Sequence, residues 1–422
     1  MPRAPRLNAG DGLGFIEMKT IQIFLAIALL LFASSPQPIT LTPPAVPVPA
    51  NLFGMHIHYI GTTAPWPTTP WPPVGIPTWR LWDARVTWPD LEPNKGEWHF
   101  AILDKCMAMA EQHHVDVLMT LGLTPRWASA RPQEPSGYQP GFAAEPSDIE
   151  NWRTFVRTVA ARYKGRIHAY EIWNEPNIRR FWTGDTGQLV TLTREAHDII
   201  KAIDPAAIIV SPAAAGVQTG AAWTAEFLKK GGGQYVDVVG YHFYVPKAPE
   251  DMVPLVQQIR RVMAENGAGN LPVWNTEGGW GDHFESPEAA AAFVVRFYVL
   301  LWAAGVQRGY WYSWDHPGSG TIKLIDAESQ ALTPAGRAYT IIQDWLVGTK
   351  MDWCQADTDS TWRCQLSRKN KLQWIVWNPG QTQAFTIPQS WQVKTITPLF
   401  EAPHARNGFT VDIGKVPLLM SN

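Results

Sequence analysis

The sequence predicts an α/β protein, a (β/α)8 TIM barrel with a small C-terminal antiparallel β domain. Short apolar runs alternate with amphipathic helical stretches over roughly 300 residues, and eight parallel strands joined by crossover helices close into a barrel. After Gly348, apolar residues recur at every second position instead, which is typical of antiparallel strands. An open doubly wound sheet is the alternative, but no Gly-rich phosphate turn follows the first strand.

The N-terminus, residues 1–35, has the form of a signal peptide region. Lys19 precedes an apolar run at 21–32, which is short for a membrane span and fits the core of a secretory signal with Met18 as a candidate start. We expect a secreted or periplasmic protein with no stable membrane insertion after signal cleavage. An N-terminal membrane anchor is the alternative. Residues 36–50 are Pro-rich and predict an extended linker.

The barrel is predicted over residues 51–348. Its connecting segments carry apolar residues at helical spacing, as in 149–164. Another helix is predicted from Thr333, a good N-cap followed by proline, to Gly348 as its stop. The eight strands are predicted at residues 52–59, 79–82, 115–121, 168–173, 208–211, 236–244, 272–275 and 308–314.

Residues 349–422 predict the small antiparallel β domain, packed against the barrel. Cys354 and Cys364 flank a turn-forming stretch, which predicts a hairpin disulfide in an oxidising compartment. Cys106 is predicted to be a buried free thiol. The strands of this domain are predicted at residues 362–366, 372–377, 384–387, 393–398 and 409–413.

Charge excludes some classes of partner. The net charge is −2 and there is no long basic or acidic run, so neither nucleic acid nor an anionic membrane surface is an expected partner. No Cys/His spacing typical of a metal site is present, and no metal is predicted. The 22 Trp residues suit both a large core and ligands with flat apolar faces, such as sugar rings.

Two glutamates are predicted at one rim of the barrel. Glu175 ends the fourth predicted strand and Glu277 ends the seventh, on the face where active sites of this fold are built. Cleavage of a glycosidic bond needs two carboxylic groups, one to protonate the leaving oxygen and one to act at the sugar carbon. Other residues predicted at this rim are Arg80 on strand two, Trp127 after strand three, Asn174, His242 and Tyr244 on strand six, Trp280 after strand seven, and Trp314 ending strand eight.

Elementary electrostatics separates the roles of the two glutamates. A nucleophile must stay ionised, and Arg80 and Tyr244 can supply a positive charge and a hydrogen bond to Glu277. The acid/base must hold a proton, which fits Glu175 in an apolar setting beside an ionised neighbour. Asn174 is placed to hydrogen-bond a sugar 2-hydroxyl.

Other residues at the rim have less specific expectations. Arg80 is also a candidate ion-pair partner of Glu171 inside the barrel, which is compatible with a catalytic role. His242 is assigned equally to core hydrogen bonding and to substrate contact. The predicted substrate-binding walls are Trp127, Trp280 and Trp314.

Several motifs resemble those of the retaining glycoside hydrolases of clan A. They are IWNEPN at 172–177, TPRWAS at 124–129 and GYHFY at 240–244, together with Glu277 on strand seven. Family 39, with its β-xylosidases and exopolysaccharide-cleaving members, is the family that the chain resembles most. The resemblance covers about residues 50–422.

This resemblance implies a function and the roles of two residues. It implies an O-glycosyl hydrolase acting on an extracellular or cell-envelope polysaccharide or oligosaccharide by double displacement, without a cofactor. Glu175 is then the acid/base and Glu277 the nucleophile, in agreement with the electrostatic argument. The alternatives are a non-catalytic carbohydrate-binding or matrix protein on a barrel scaffold, and a transglycosylase that passes the same intermediate to a sugar acceptor.

Overall fold

A computed structural model of the protein describes residues 38–64, 67–245, 247–279, 284–315, 322–326 and 329–422. The predicted signal region and Trp280 lie outside the described residues. The helices are α1 (Trp88–Leu91), α2 (Ala101–Gln112), α3 (Ile149–Arg162), α4 (Thr186–Ile203), α5 (Gln218–Lys229), α6 (Met252–Glu265), α7 (Pro287–Ala303) and α8 (Pro334–Leu346). Among these residues, no helix has both the length and the apolar character needed to cross a membrane.

The strands divide between a parallel and an antiparallel sheet. Those of the first half are β1 (Ile39–Leu41), β2 (Phe53–His56), β3 (Thr78–Leu81), β4 (Asp116–Leu121), β5 (Ala169–Ile172), β6 (Ile208–Val210), β7 (Ala214–Ala215), β8 (Val239–His242), β9 (Val273–Gly278) and β10 (Val306–Trp311). The remainder are β11 (Lys350–Ala356), β12 (Trp362–Arg368), β13 (Lys371–Trp377), β14 (Gln383–Thr386), β15 (Thr395–Thr397), β16 (His404–Ala405), β17 (Thr410–Ile413) and β18 (Leu418–Ser421).

The parallel sheet forms the barrel. Its strand order is β6-β5-β4-β3-β2-β10-β9-β8-β7, and a parallel bridge between Val210 and Val238 joins its two ends. The fifth position holds both β6 and β7, because Pro212 between them has no N–H to donate to the ladder. Strands β2, β3, β5, β8 and β9 are buried at every residue, as expected where helices cover a parallel sheet. The predicted (β/α)8 barrel is confirmed.

Local sequence explains where the helices start. Asp148 caps α3 by accepting a hydrogen bond from the backbone N–H of Glu150. Thr333 caps α8 by accepting from Gly336 N–H, with Pro334 in the first turn, as the sequence predicts. Both helices present their apolar face to the barrel and its neighbours.

Helix α7 connects the barrel with the C-terminal sheet. It is buried on all sides from Ala291 to Ala303, and it packs against β10, α8 and β11. Arg296 on this helix pairs with Glu250 at 3.0 Å, and Glu250 also accepts a hydrogen bond from Trp377 Nε1 on β13 at 2.7 Å. The described residues accordingly form one compact unit.

The C-terminal sheet is antiparallel, as predicted, with the order β1-β11-β12-β13-β18-β15-β16. Strands β14 and β17 form a separate pair. Strand β1 comes from the segment predicted as a linker and pairs with β11. Cys354 and Cys364 are register partners on β11 and β12 and form a disulfide, while Cys106 is buried and free.

Candidate active site

The carboxyl ends of β5 and β9 bring the two glutamates together. Glu277 lies within β9, and Glu175 follows β5 by three residues. Trp173 and Glu175 have φ of +73° and +45°, left-handed values that cost a non-glycine residue free energy. One carboxylate oxygen of each glutamate and a ring nitrogen of His242 all lie within 4.8 Å of one another.

Arg80 on β3 holds three acidic or amide side chains in place. Its Nη1 donates to Glu277 Oε2 at 2.9 Å, its Nη2 to Asn174 Oδ1 at 2.7 Å, and its Nε to Glu171 Oε1 at 3.1 Å. Arg80 and Glu171 are fully buried. Burial opposes the charge, but Glu171 and Glu277 raise the pKa of Arg80, so the guanidinium stays charged. The sequence offered Glu171 and Glu277 as partners of Arg80, and both are bound by its guanidinium.

This arrangement fixes the orientation of Asn174. Because Arg80 has only donors, the Asn174 oxygen must face it. The Asn174 NH2 group is then the part of the amide left to donate to a ligand. Asn174 itself is almost fully buried, and its backbone pairs with Ala213 in a parallel bridge.

Tyr244 completes the surroundings of Glu277. Its hydroxyl donates to Glu277 Oε1 at 2.6 Å. Burial, together with the charge of Glu277, raises the pKa of Tyr244 well above that of an ordinary phenol. The phenol therefore stays protonated, and Glu277 accepts one hydrogen bond on each oxygen.

His242 contacts the other glutamate. Its Nδ1 lies 2.9 Å from Glu175 Oε1 and 3.8 Å from Glu277 Oε2. Its Nε2 is buried and has no hydrogen-bond partner among the described residues. Placing the proton on Nδ1 avoids burying an unpaired N–H, and it makes His242 a donor to Glu175. The sequence left His242 open between core hydrogen bonding and substrate contact. The structure shows a buried hydrogen bond, made to Glu175.

The pKa values of the free site run opposite to the order expected from the sequence. Burial raises the pKa of Glu277, and the charge of Glu175 adds to the rise, although His242, Arg80 and Tyr244 oppose it. Burial also acts upward on Glu175, but the hydrogen bond from His242, helped by the charge of Arg80, lowers its pKa. The order differs because the sequence argument placed Glu175 in the drier site without a hydrogen-bond donor, whereas in the structure His242 donates to it.

Comparison with known proteins was made for sequence and for structure. The profile of glycosyl hydrolases family 39 matches residues 92–313. The chain belongs to this family. A β-xylosidase of Geobacillus stearothermophilus is 24% identical over 213 residues, which are 43% of this chain and 41% of that protein. The chain thus spans about two fifths of the length of this curated relative.

Solved structures share the fold. A glucosidase of Croceicoccus marinus superimposes with a TM-score of 0.65 at 12% identity, covering 91% of this chain and 98% of that one. A family 39 β-xylosidase of Caulobacter crescentus superimposes with a TM-score of 0.63 at 17% identity, covering 92% and 98%. At these identities the likeness shows the fold, which agrees with the barrel described above.

The predicted tryptophan walls of this family 39 protein lie in different places. Trp127 donates its indole N–H to Glu92 O at 2.9 Å and packs edge-on against Trp88, beside α1. None of the contacts described for it reaches either glutamate. Trp314 is only 2% exposed and lines a cavity with Tyr59 at the strand-eight rim. A role for either indole in sugar binding stays a prediction.

Several polar residues at this rim were not singled out as site residues from the sequence. His56 Nε2 lies 3.0 Å from Thr276 O and 3.5 Å from Arg80 Nη1, and burial followed by Arg80 lowers its pKa, so it stays neutral. Asp83 accepts hydrogen bonds from Tyr138 and Tyr312. Asp83 directly follows the second barrel strand, so the strand-end rule that identified the glutamates also points to it.

The site can be tested for its fit to a metal ion. Glu175, His242 and Glu277 offer three ligand atoms within reach of one cation. However, the buried guanidinium of Arg80 lies 2.9 Å from Glu277, and Tyr244 donates to the other oxygen. A cation would be repelled by Arg80 and would have to displace these donors, so the donor set fits a metal poorly.

Proposed function

We propose that this family 39 protein is an exported retaining glycoside hydrolase that cleaves an extracellular or cell-envelope polysaccharide or oligosaccharide. The observation that carries the proposal is the pair of glutamates, whose nearest ligand oxygens lie within 4.8 Å. Retaining enzymes place their carboxyl groups about 5–5.5 Å apart, whereas inverting enzymes need about 6.5–9.5 Å to fit a water molecule. The separation favours direct attack by one carboxylate.

In the first step Glu277 attacks the anomeric carbon and the glycosidic C–O bond breaks. Glu175 transfers its proton to the departing oxygen, so the leaving sugar departs as a neutral alcohol. The NH2 group of Asn174 donates to the 2-hydroxyl of the reacting sugar. Arg80 and Tyr244 position the attacking carboxylate.

In the second step a water molecule replaces the leaving sugar. Glu175, now a carboxylate, takes one proton from this water while the oxygen attacks the anomeric carbon and releases Glu277. The sugar leaves with its original anomeric configuration, and Glu175 is protonated again. A sugar hydroxyl in place of water would give transglycosylation.

The free-state pKa values identify what substrate binding must change. One proton shared by the coupled glutamates is enough for catalysis when it lies on Glu175. His242 opposes this state in the free site by donating to Glu175. We propose that the glycosidic oxygen, placed against Glu175, favours the protonated form because that form can donate to it, while Arg80 and Tyr244 stabilise the charge left on Glu277.

The main rival is a carbohydrate-binding protein without catalysis. A binding protein needs no buried ion pairs between facing strands, and such pairs carry a large desolvation cost. The intact contacts of Arg80 with Glu171 and Glu277 therefore support an enzyme.

Product stereochemistry tests the mechanism. Aryl β-xylosides and β-glucosides, chosen because relatives are named xylosidase, xylanase and glucosidase, are hydrolysed in an NMR tube and the first anomer is observed. The β anomer is expected. Initial release of the α anomer contradicts double displacement, and no release from a broad glycan panel favours the binding protein.

A variant assigns the nucleophile. Glu277→Ala is expected to lower turnover by on the order of 10⁴-fold or more. Azide should then restore turnover and give a glycosyl azide of inverted configuration, because the small anion attacks from the vacated side. Near-normal activity of Glu277→Ala overturns the assignment.

Export is proposed on the signal-like N-terminus and on the Cys354–Cys364 pair, which suits an oxidising compartment. Cell fractionation and N-terminal sequencing of the mature protein test it. A cleaved N-terminus in the secreted or periplasmic fraction is expected. An uncleaved chain in the membrane fraction supports the anchor instead.

A further inference from the structure

A cavity of about 600 Å³ opens at the face of the barrel that carries the glutamates, on the loops that follow β2 to β5. Its lining includes charged and polar side chains that the proposed mechanism does not use. The residues that matter here are His58, Asp83, Asp90, Tyr138 and Arg180. The cavity is large enough for a sugar unit.

Asp83 is held rigidly in this cavity. Tyr138 donates its hydroxyl to Asp83 Oδ1 at 2.8 Å, and Tyr312 donates to Oδ2 at 3.4 Å. The φ of Asp83 is +56°, and that of Arg85 two residues later is +59°. Left-handed conformations persist in such residues where the surroundings impose them, and they concentrate at functional sites.

The two phenols connect Asp83 with the nucleophile. Tyr312 N–H donates to the carbonyl of Gly278, the residue after Glu277, at 2.6 Å. Burial, then Asp83 and then Glu277 raise the pKa of Tyr312. Burial, then Asp83 and then Glu277 also raise the pKa of Tyr138, which is 36% exposed at the rim. Both phenols therefore stay protonated, and both lie in the field of Glu277.

Asp83 retains acceptor capacity toward the cavity. A carboxylate has about four lone-pair positions, and the two phenols use two of them. Asp90 lines the same cavity, but its carboxylate accepts from Thr87 N–H and from the Thr87 hydroxyl, as part of the cap of α1. The two aspartates thus differ, since Asp90 is part of a helix cap, whereas Asp83 accepts hydrogen bonds from two phenol side chains.

We propose that this cavity binds the glycone sugar. Asp83 is then a specificity-determining residue that accepts hydrogen bonds from two neighbouring hydroxyls of that sugar. The side follows from Tyr312, whose hydroxyl contacts Asp83 and whose backbone N–H contacts the residue after Glu277, because the attacked sugar lies against the nucleophile. A carboxylate held by two phenols selects sugars with a vicinal diol, and one of its acceptor positions is left unpaired when a hydroxyl is missing. The inference rests on the proposed function for the identity of the ligand.

The kinetic test uses Asp83→Asn, which keeps the shape and tolerates a left-handed φ. The parent substrate is either 4-nitrophenyl β-xyloside or 4-nitrophenyl β-glucoside, whichever is hydrolysed faster. The other substrates are the mono-deoxy forms of that parent. The variant should lower kcat/KM for the parent by about 10- to 100-fold. Wild type should lose a similar factor when either of the two bound hydroxyls is removed, and the variant should lose little more. Equal sensitivity of both proteins to every deoxy form overturns the inference.

A binding test separates this inference from the mechanism. In the Glu175→Gln/Glu277→Gln background, calorimetry gives the Kd for xylotriose and cellotriose with and without Asp83→Asn. The added change should weaken binding about tenfold or more, and Asp90→Asn is the control that should leave it unchanged. Asp83-dependent binding without any turnover in wild type rejects only the proposed hydrolase. An unchanged Kd, or no binding of either sugar, rejects the role of Asp83.

Discussion

The catalytic rim of the barrel and the C-terminal sheet are stabilised in opposite ways. At the rim, buried charges contact each other through Arg80, and left-handed non-glycine residues cluster around the cavity and Glu175. In the sheet, Trp374, Val376 and Met420 form an apolar core. Its left-handed residues, Ser360 and Lys369, sit in the turns between strands instead.

This difference separates the places where function and stability are encoded. Each left-handed residue or buried charge at the rim costs about 1–3 kcal/mol or more, and the surrounding barrel holds it in place. In the sheet, by contrast, the ion pairs of the described residues are all partly exposed to solvent. Substitutions at the rim should therefore act on turnover, and substitutions in the sheet should act on folding alone.

After Glu277→Ala, the largest effect on activity is expected for Glu175→Gln. It should lower kcat/KM about 10²- to 10⁴-fold on substrates with poor leaving groups, because the acid is lost. A 2,4-dinitrophenyl glycoside needs no acid, so its first step should be much less affected. Steady-state and pre-steady-state kinetics on the two substrates measure the contrast, and equal losses would show that Glu175 is not the acid.

The same variant should shift the pH profile. With the dinitrophenyl substrate, which needs no acid, activity requires ionised Glu277 whatever the state of Glu175. It therefore rises with pH through the Glu277 pKa, which burial and then the charge of Glu175 raise. Removing that charge lowers this pKa and moves the acidic limb of kcat/KM to lower pH. If the acidic limb of kcat/KM measured with the dinitrophenyl substrate stayed unchanged or moved to higher pH, the effect of Glu175 on the Glu277 pKa would be contradicted.

A smaller loss of activity, together with a loss of stability, is expected for Arg80→Met. Leaving Glu171 and Glu277 buried without their partner should destabilise the fold by about 3–5 kcal/mol. Turnover per folded molecule should fall about 10²- to 10³-fold, because Glu277 is no longer positioned. Urea unfolding and kcat/KM measured on the same samples give both quantities.

The matched control is Arg296→Met, which breaks the ion pair with Glu250. The side chain of Arg296 is 6% exposed and that of Glu250 is 13% exposed. It should lower stability while leaving turnover per folded molecule unchanged. If it reduced turnover as much as Arg80→Met, the distinction between the rim and the rest of the molecule would be wrong.

No effect on turnover is expected for Trp374→Ala in the sheet. Trp374 is 1% exposed and stacks on Trp391 with ring centroids 4.7 Å apart. Its removal should cost about 3–5 kcal/mol of stability, whereas Trp391→Ala should cost about 1 kcal/mol from the lost stacking. Thermal unfolding measures both, and reduced turnover of the folded fraction would connect the sheet with catalysis.

Much of this architecture was accessible from local sequence pattern. Each of the eight barrel strands was predicted within a few residues, since a strand buried on both faces is a short apolar run between polar segments. Strands β1, β7, β11, β16 and β18 were missed, in part because some of them pair with partners distant in the chain. Ile39 of β1, for example, pairs with Ala356.

The site divides in the same way. The strand-end rule predicted Glu175 and Glu277 at one rim, where the structure places them. Asp83 and His56 also lie at or near strand ends, but the rule does not say what they contact. These residues matter through contacts with Tyr138, Tyr312 and Thr276, which come from other strands and loops.

The sequence alone determined the alternation of strands and helices, and with it the shared rim of the two glutamates, because hydrophobic period and strand ends are local properties. Only the tertiary structure decided which donor meets which acceptor. Arg80 reaches Glu277 across 197 positions, and His242 reaches Glu175 across 67. Such pairings depend on ångström-scale side-chain positions around a closed barrel, and no spacing along the chain encodes them.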